Sequence, residues 1–144
     1  MKHGQFKKVK FPKTKIVGKR NWGKEELLVL ISKKISLKKI FIKKGKKGGL
    51  QYHHKKNECG ILIYGKLKVT FDNGKGKLIS KILNKNSTFH FPPGAVHQEE
   101  ALSNCMIIEA STPHFNDRVR VENYYGLKES KGLPTTKRRN VKLI

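Results

Sequence analysis

Acidic residues are scarce in this sequence. Ten Asp and Glu stand against 33 Lys and Arg, for a formal net charge of +23 over 144 residues. Arginine is scarce too, at five of the basic residues. The excess is therefore lysine, much of it in doublets such as 7–8, 33–34, 38–39, 43–44, 46–47 and 55–56. Scattered lysines keep a protein dissolved and draw anions from a distance. They do not make a specific reader of phosphate or guanine, because that work falls to the forked guanidinium of arginine. The charge is read first as a solvated face. A nucleic-acid or other polyanion surface is the alternative.

Cysteine is nearly absent. Cys59 and Cys105 both lie in apolar, strand-like runs and are expected as small core residues, with no disulfide framework. Long apolar runs are missing: the longest, Leu27–Ile31, is far too short to span a bilayer. The lysine-rich N-terminus lacks the apolar stretch of a signal peptide, so the default location is the cytoplasm. No long segment repeats apolar residues at a helical period.

What is present is a series of short strand signals. Glu25–Ser32 and Ile35–Lys43 come first, then the loop KGKKGG at 44–49. Cys59–Tyr64 is an apolar run of strand length. Leu67, Val69 and Phe71 alternate with Lys66, Lys68 and Thr70, the mark of a half-buried strand. Asp72-Asn73-Gly74 signals a hairpin, and Leu78–Leu83 follows it. Thr88–Phe91 stops at Pro92-Pro93-Gly94, and Val96–Ala101 and Cys105–Ser111 close the series. Short strands at intervals of about eight to twelve residues argue for a sandwich or small barrel. The expectation is an all-β jelly roll over 20–126, with a basic arm at 1–19 that holds at most one edge strand. A basic, extended tail is expected at 127–144. Trp22, in the turn Asn21-Trp22-Gly23, is expected to plug the core.

One stretch carries the chemistry. Leu50 to Gly65 reads LQYHHKKNECGILIYG, with Gln51, His53, Lys55 and Glu58 inside eight residues. Strand alternation puts Gln51, His53 and Lys55 on one face and Tyr52 and His54 on the other. The turn at Lys56-Asn57 then delivers Glu58 to the inner surface. A second stretch, FPPGAVH, ends on His97. Gln51, His53, Glu58 and His97 together form a mixed nitrogen and oxygen ligand set. Such a set suits Zn²⁺, Mn²⁺, Fe²⁺ or Ni²⁺. Each residue also has a plainer role open to it. Gln51 can serve as a cross-strand hydrogen bonder, and His54 and His90 are expected at the surface or the core edge. Glu99 and Glu100 are expected in solvent, with one of them able to support a ligand histidine.

The two stretches resemble the two motifs of the cupin superfamily. Glu58 and Gly65 match the Glu-x6-Gly end of the first motif, and Pro92, Gly94 and His97 match the Pro-x-Gly-x-x-His of the second. Within cupins the sequence is most similar to phosphomannose isomerases and their single-domain relatives. The similarity is carried by Asn-Trp-Gly-Lys-Glu-Glu at 21–26, Leu-Gln-Tyr-His at 50–53, Ser-Thr-Pro at 111–113, Asp-Arg-Val-Arg at 117–120 and Tyr125-Gly126. Lys55 departs from the superfamily pattern, because it stands where the second histidine of the usual His-x-His belongs. Either Gln51 fills the lost position, as the isomerase ligand set implies, or His54 does through a local bulge.

The resemblance implies a double-stranded β-helix barrel with a divalent metal, zinc first, at its floor. It also implies a metal-dependent aldose–ketose isomerase acting on a phosphorylated hexose, as in nucleotide-sugar and polysaccharide metabolism. Lys56 is nominated as the base, because a Lys-x-Glu arrangement lies beside the metal in that family. Arg118 and Arg120 are nominated to clamp a phosphate, and being two apart on an extended segment they would share a face. Jelly-roll edges lead us to expect a homodimer. Two other readings remain. One is a binding module that kept the barrel and lost catalysis. The other is an assembly or nucleic-acid-associated protein, motivated by the charge alone.

Overall fold

The computed structural model of the chain describes residues 4–128. Eleven strands account for most of it: β1 Lys15–Arg20, β2 Gly23–Ile31, β3 Ile35–Ile42, β4 Gln51–His53, β5 Glu58–Tyr64, β6 Leu67–Asp72, β7 Leu78–Leu83, β8 Thr88–Phe91, β9 His97–Ala101, β10 Cys105–Ser111 and β11 Arg118–Arg120. A single 3-10 turn follows at Glu122–Tyr125. The strands form two antiparallel sheets, ordered β1-β2-β3-β10-β5-β8 and β11-β4-β9-β6-β7. This is the jelly roll expected from the strand spacing. No helix among the described residues is long and apolar enough to cross a membrane. The basic arm ends in β1, an edge strand paired with β2. From residue 129 on, the expected tail lies outside the described residues.

Alternation decides what faces inward. Along β10, Cys105, Ile107, Glu109 and Ser111 are buried while the residues between them are half-exposed. On β5 the buried residues are Glu58 and Leu62. That register turns Cys59 outward, so the expectation that both cysteines are core residues fails: Cys59 is exposed and only Cys105 is buried. The apolar run Cys59–Tyr64 hid the period-two pattern, which starts one residue earlier, at Glu58.

The interior has two ends of different chemistry. At one end Trp22, Ile42, Leu62, Leu67, Val69, Leu83, Phe91, Ala101, Cys105 and Ile107 pack into one cluster. At the other, the same strands carry polar residues inward. Along β3 the inward row passes from Ile42 and Ile40 to Lys38 and Ser36, and Ser36 Oγ lies 3.0 Å from Ser111 Oγ. The apolar end holds the barrel closed and the polar end holds the site.

Two glycines fix the turns around that site. Gly65 ends β5 at φ +100°, and a Cβ there would fall 2.3 Å from the Asn104 carbonyl oxygen, so no other residue fits without movement. Gly94, at φ +83°, donates its N–H to the His53 carbonyl at 2.9 Å. The Pro-Pro-Gly turn is thereby tied to the strand that carries the first histidine.

Candidate metal centre

Three side chains from three strands converge. His53 ends β4, Glu58 begins β5 and His97 begins β9. One ligand atom from each lies within 4.8 Å of the other two. Nε2 of His97 is 3.2 Å from Glu58 Oε1, and Nε2 of His53 is 3.6 Å from the same oxygen. All three residues are buried.

The two imidazoles are held in the form that ligates through Nε2. His97 donates from Nδ1 to the Ala95 carbonyl at 2.9 Å, and a carbonyl can only accept. His53 donates from Nδ1 to Asp117 Oδ1 at 3.0 Å. In each ring Nε2 is the nitrogen turned toward Glu58, free to donate to that carboxylate when protonated and to ligate a metal through its lone pair when not. Phe91 stacks on the His97 ring at 4.0 Å between centroids and 13° between planes.

Gln51 joins this group. It pairs in register with His97 across β4 and β9 and lines the same cavity. Its Oε1 is buried without a hydrogen-bond partner in the protein. A buried carbonyl oxygen with nothing to accept from is costly. A cation held with His53, Glu58 and His97 would satisfy it. By donor chemistry and by this orphaned oxygen, the four residues fit a divalent metal. His54 and Lys55 lie beyond the end of β4 and are exposed. Neither takes the fourth position.

Lys56 lies beside the cluster. Its Nζ is 2.8 Å from Glu58 Oε2 and 3.3 Å from Glu109 Oε1. Burial works against its charge, but Glu109 and Glu58 outweigh burial and hold the amine well above the ordinary lysine value. Burial likewise opposes ionisation of Glu58, yet the Lys56 ammonium and the His97 contact keep that carboxylate charged. The His97 imidazole is raised, because the bond and charge of Glu58 exceed the cost of burial. His53 is lowered, chiefly by burial.

The cavity above the cluster measures about 130 Å³. Its lining includes Glu25, Glu58, Glu99, Glu109 and Asp117. Five of the ten acidic residues of a +23 chain therefore surround one cavity. Glu99, expected in solvent, is half-buried on this wall, two residues along β9 from His97. Burial and the Glu58 charge push its carboxyl up to about 7. Trp22 is in the core as expected, and it also lines the cavity.

The two arginines part company. Arg118 lines the cavity. Arg120 does not appear in that lining. Its guanidinium is held by Glu122, with Nε 2.9 Å from Oε1, and it lies across Gly49, where a Cβ would fall 2.2 Å from Nε. The structure places Arg120 in the support of the loop that enters β4. Asp117, quoted in the sequence only as part of a motif, emerges as the residue that orients His53. It also accepts the N–H groups of Lys55 and Lys56 at 2.8 and 2.9 Å. Glu109 and Lys38 were missed as well. The signal was there for Glu109, a charged residue inside the apolar run of β10, whereas the inward turn of Lys38 depends on its pairing with β10.

Comparison with known proteins agrees with the fold. The sequence model of the family described as mannose-6-phosphate isomerase C-terminal matches residues 8–122. The chain belongs to that family. Its fold is that of the cupins. An RmlC-like cupin from Shewanella frigidimarina is similar over 72% of this chain and 87% of its own, at 21% identity and a TM-score of 0.59. The capsular polysaccharide assembling protein CapF of Staphylococcus aureus matches 75% of this chain at 18% identity and a TM-score of 0.65. Oxalate decarboxylase of Bacillus subtilis matches 88% of this chain at 19% identity and a TM-score of 0.67. The chain spans only 34% of CapF and 38% of the decarboxylase. At these identities the likeness concerns fold. In sequence, a probable germin-like protein of Arabidopsis thaliana is 38% identical over 52 residues, 24% of its length.

Proposed function

We propose that this chain is a metal-dependent cupin that acts on a phosphorylated hexose, in the manner of an aldose–ketose isomerase. The observation that carries the reading is the convergence of His53, Glu58 and His97, with Lys56 Nζ 2.8 Å from Glu58, at the floor of one cavity. Gln51, His53, Glu58 and His97 would hold the metal, with zinc the first candidate. The metal would supply Lewis acidity toward the carbonyl and neighbouring hydroxyl of an open-chain sugar.

The chain's own residues do the rest. Isomerisation moves a proton between adjacent carbons and needs a group to carry it. Lys56 is the candidate, but its amine is charged at neutral pH, because Glu109 and Glu58 override the cost of burial. It must first pass a proton on. Glu109 Oε1, at 3.3 Å from Nζ, is the acceptor within reach, and it accepts only in the ionised form, which burial confines to pH near or above about 8. Lys56 then takes the proton from one carbon and returns it to the next. Arg118 on the cavity wall offers the charge to hold a phosphate. The lysine-rich exterior favours approach of such an anion.

One observation favours a second reading, a binding module without turnover. The Lys56 ammonium is clamped between two carboxylates, a closed ion-pair arrangement that needs no reaction to explain it. Metal analysis of the purified protein, followed by assay with mannose 6-phosphate and fructose 6-phosphate, separates the two. Bound metal with interconversion supports the enzyme. Bound metal and sugar binding without interconversion supports the module. Metal content of wild type no higher than that of His97→Ala removes the metal centre itself.

A further inference from the structure

A row of alternating charges crosses the inner face of the larger sheet. Glu25 Oε1 lies 2.7 Å from Lys38 Nζ. Lys38 stands directly opposite Glu109 in the β3–β10 register. Glu109 reaches Lys56 at 3.3 Å, and Lys56 reaches Glu58 at 2.8 Å. The row thus runs from the metal cluster to the far wall of the cavity, and all five residues line that cavity.

Stability does not account for the far end. The Lys38 and Glu25 side chains are 3% and 10% exposed. Removing two charges from water costs more than their attraction commonly returns, and apolar replacements of similar size are often neutral or stabilising. Ile40 and Ile42, further along the same inward row of β3, show that the sheet accepts apolar residues there. Two aromatic groups border the pair. Lys38 Nζ lies 5.2 Å from the centre of the Phe115 ring. Trp22 lines the same cavity, and its Nε1–H is buried with no partner in the protein. A buried N–H without an acceptor is rare in native structures, and a hydroxyl oxygen from a ligand or a water would satisfy it.

We propose that Glu25, Lys38 and Trp22 form a second subsite that reads the vicinal hydroxyls of a carbohydrate, at the end of the cavity away from the metal cluster. The chemistry matches. A hydroxyl both donates and accepts. Adjacent hydroxyls therefore fit a carboxylate beside an ammonium, with the indole N–H as an additional donor. Phe115 and Trp22 add apolar faces for the carbon side of a sugar. The subsite determines which sugar is taken, and Lys56 and the metal ligands determine what is done to it. The identity of the ligand as a sugar rests on the function proposed above.

The test uses the full chain loaded with zinc. Mannose, mannose 6-phosphate and inorganic phosphate are titrated calorimetrically into wild type, Lys38→Met and the double variant Glu25→Gln/Lys38→Met. The double variant keeps the side-chain volumes and removes both charges of the pair together, so it stays informative if Lys38→Met fails to fold. We expect both sugars to bind about tenfold or more weakly in the variants, the scale of one lost charge-assisted hydrogen bond. Phosphate affinity and zinc content should be unchanged. Equal sugar affinity in wild type and the double variant overturns the subsite, and so does failure of wild type to bind either sugar. Wild type that binds mannose as well as its 6-phosphate, with both lost in the variants, sustains the subsite and removes the phosphohexose reading.

Discussion

Asp117 holds the His53 ring through a 3.0 Å bond to Nδ1, from a position 64 residues further along the chain. The same carboxylate accepts the amides of Lys55 and Lys56, so the turn before Glu58 and the first histidine are oriented by one group. Backbone N–H bonds and the neighbouring imidazole overcome partial burial and keep Asp117 below the ordinary carboxylate value. Asp117→Asn keeps the shape and removes the charge. It should weaken metal binding by about 10- to 100-fold, the usual effect of losing a residue that orients a ligand. Competition with a chelator measures this. Unchanged affinity would remove Asp117 from the metal site.

Glu109 makes a pH dependence testable in the metal-free protein. Burial, with the Glu58 charge adding to it, pushes its carboxyl up to about 8 from an ordinary 4.5. The folded protein thus keeps a proton that the unfolded chain has already released. Linkage then fixes the sign: the contribution to stability is fully present below about 4.5 and is lost as pH rises toward about 8. Glu109→Gln cannot titrate. Its melting temperature should therefore gain on wild type steadily between pH 5 and pH 8. A constant difference across that window would mean that Glu109 is ionised in the fold.

The barrel and the convergence of His53, Glu58 and His97 were legible in the sequence for a physical reason. Strand alternation and turn glycines are local signals, and Gln51, His53, Glu58 and His97 sit at turns and strand ends where those signals are strongest. What stayed hidden depends on pairing between distant strands. Lys38 and Glu109 meet because β3 pairs with β10, and nothing local in ISLKKIFI announces that Lys38, and not Lys39, faces inward. Cys59 was misplaced because every residue of its run except Gly60 is apolar or aromatic, so one-residue shifts look alike. Arg118 and Arg120 read as equals in Asp-Arg-Val-Arg, but Glu122, two residues on, holds the Arg120 guanidinium with Nε 2.9 Å from Oε1.

The β5 register can be checked by packing. Leu62 is fully buried in the core cluster, while its neighbour Ile63 is 38% exposed. Leu62→Ala should cost about 2–5 kcal/mol through lost burial and the cavity left behind. Ile63→Ala should stay within about 0.5–1 kcal/mol, as expected of an exposed site. Denaturant unfolding at constant m-value gives both numbers. The reverse order would place the outer face of β5 inside.

The last prediction concerns Lys56. Lys56→Met keeps the length of the side chain and removes the amine that lies between Glu58 and Glu109. The proposed metal ligands Gln51, His53, Glu58 and His97 are other residues, so metal content should be unchanged. If Nζ carries the proton in the isomerisation proposed here, turnover should fall by about two to four orders of magnitude, the range for a positioned acid–base group. His97→Ala should differ by losing metal and turnover together while the barrel, closed by its apolar end, still folds. A Lys56→Met protein that loses its metal would make the ammonium a support of Glu58, not a proton carrier. A wild-type protein that binds zinc and a hexose phosphate without interconverting any would leave Lys56 as the ion-pair partner of a binding site, and the module reading would replace the enzyme.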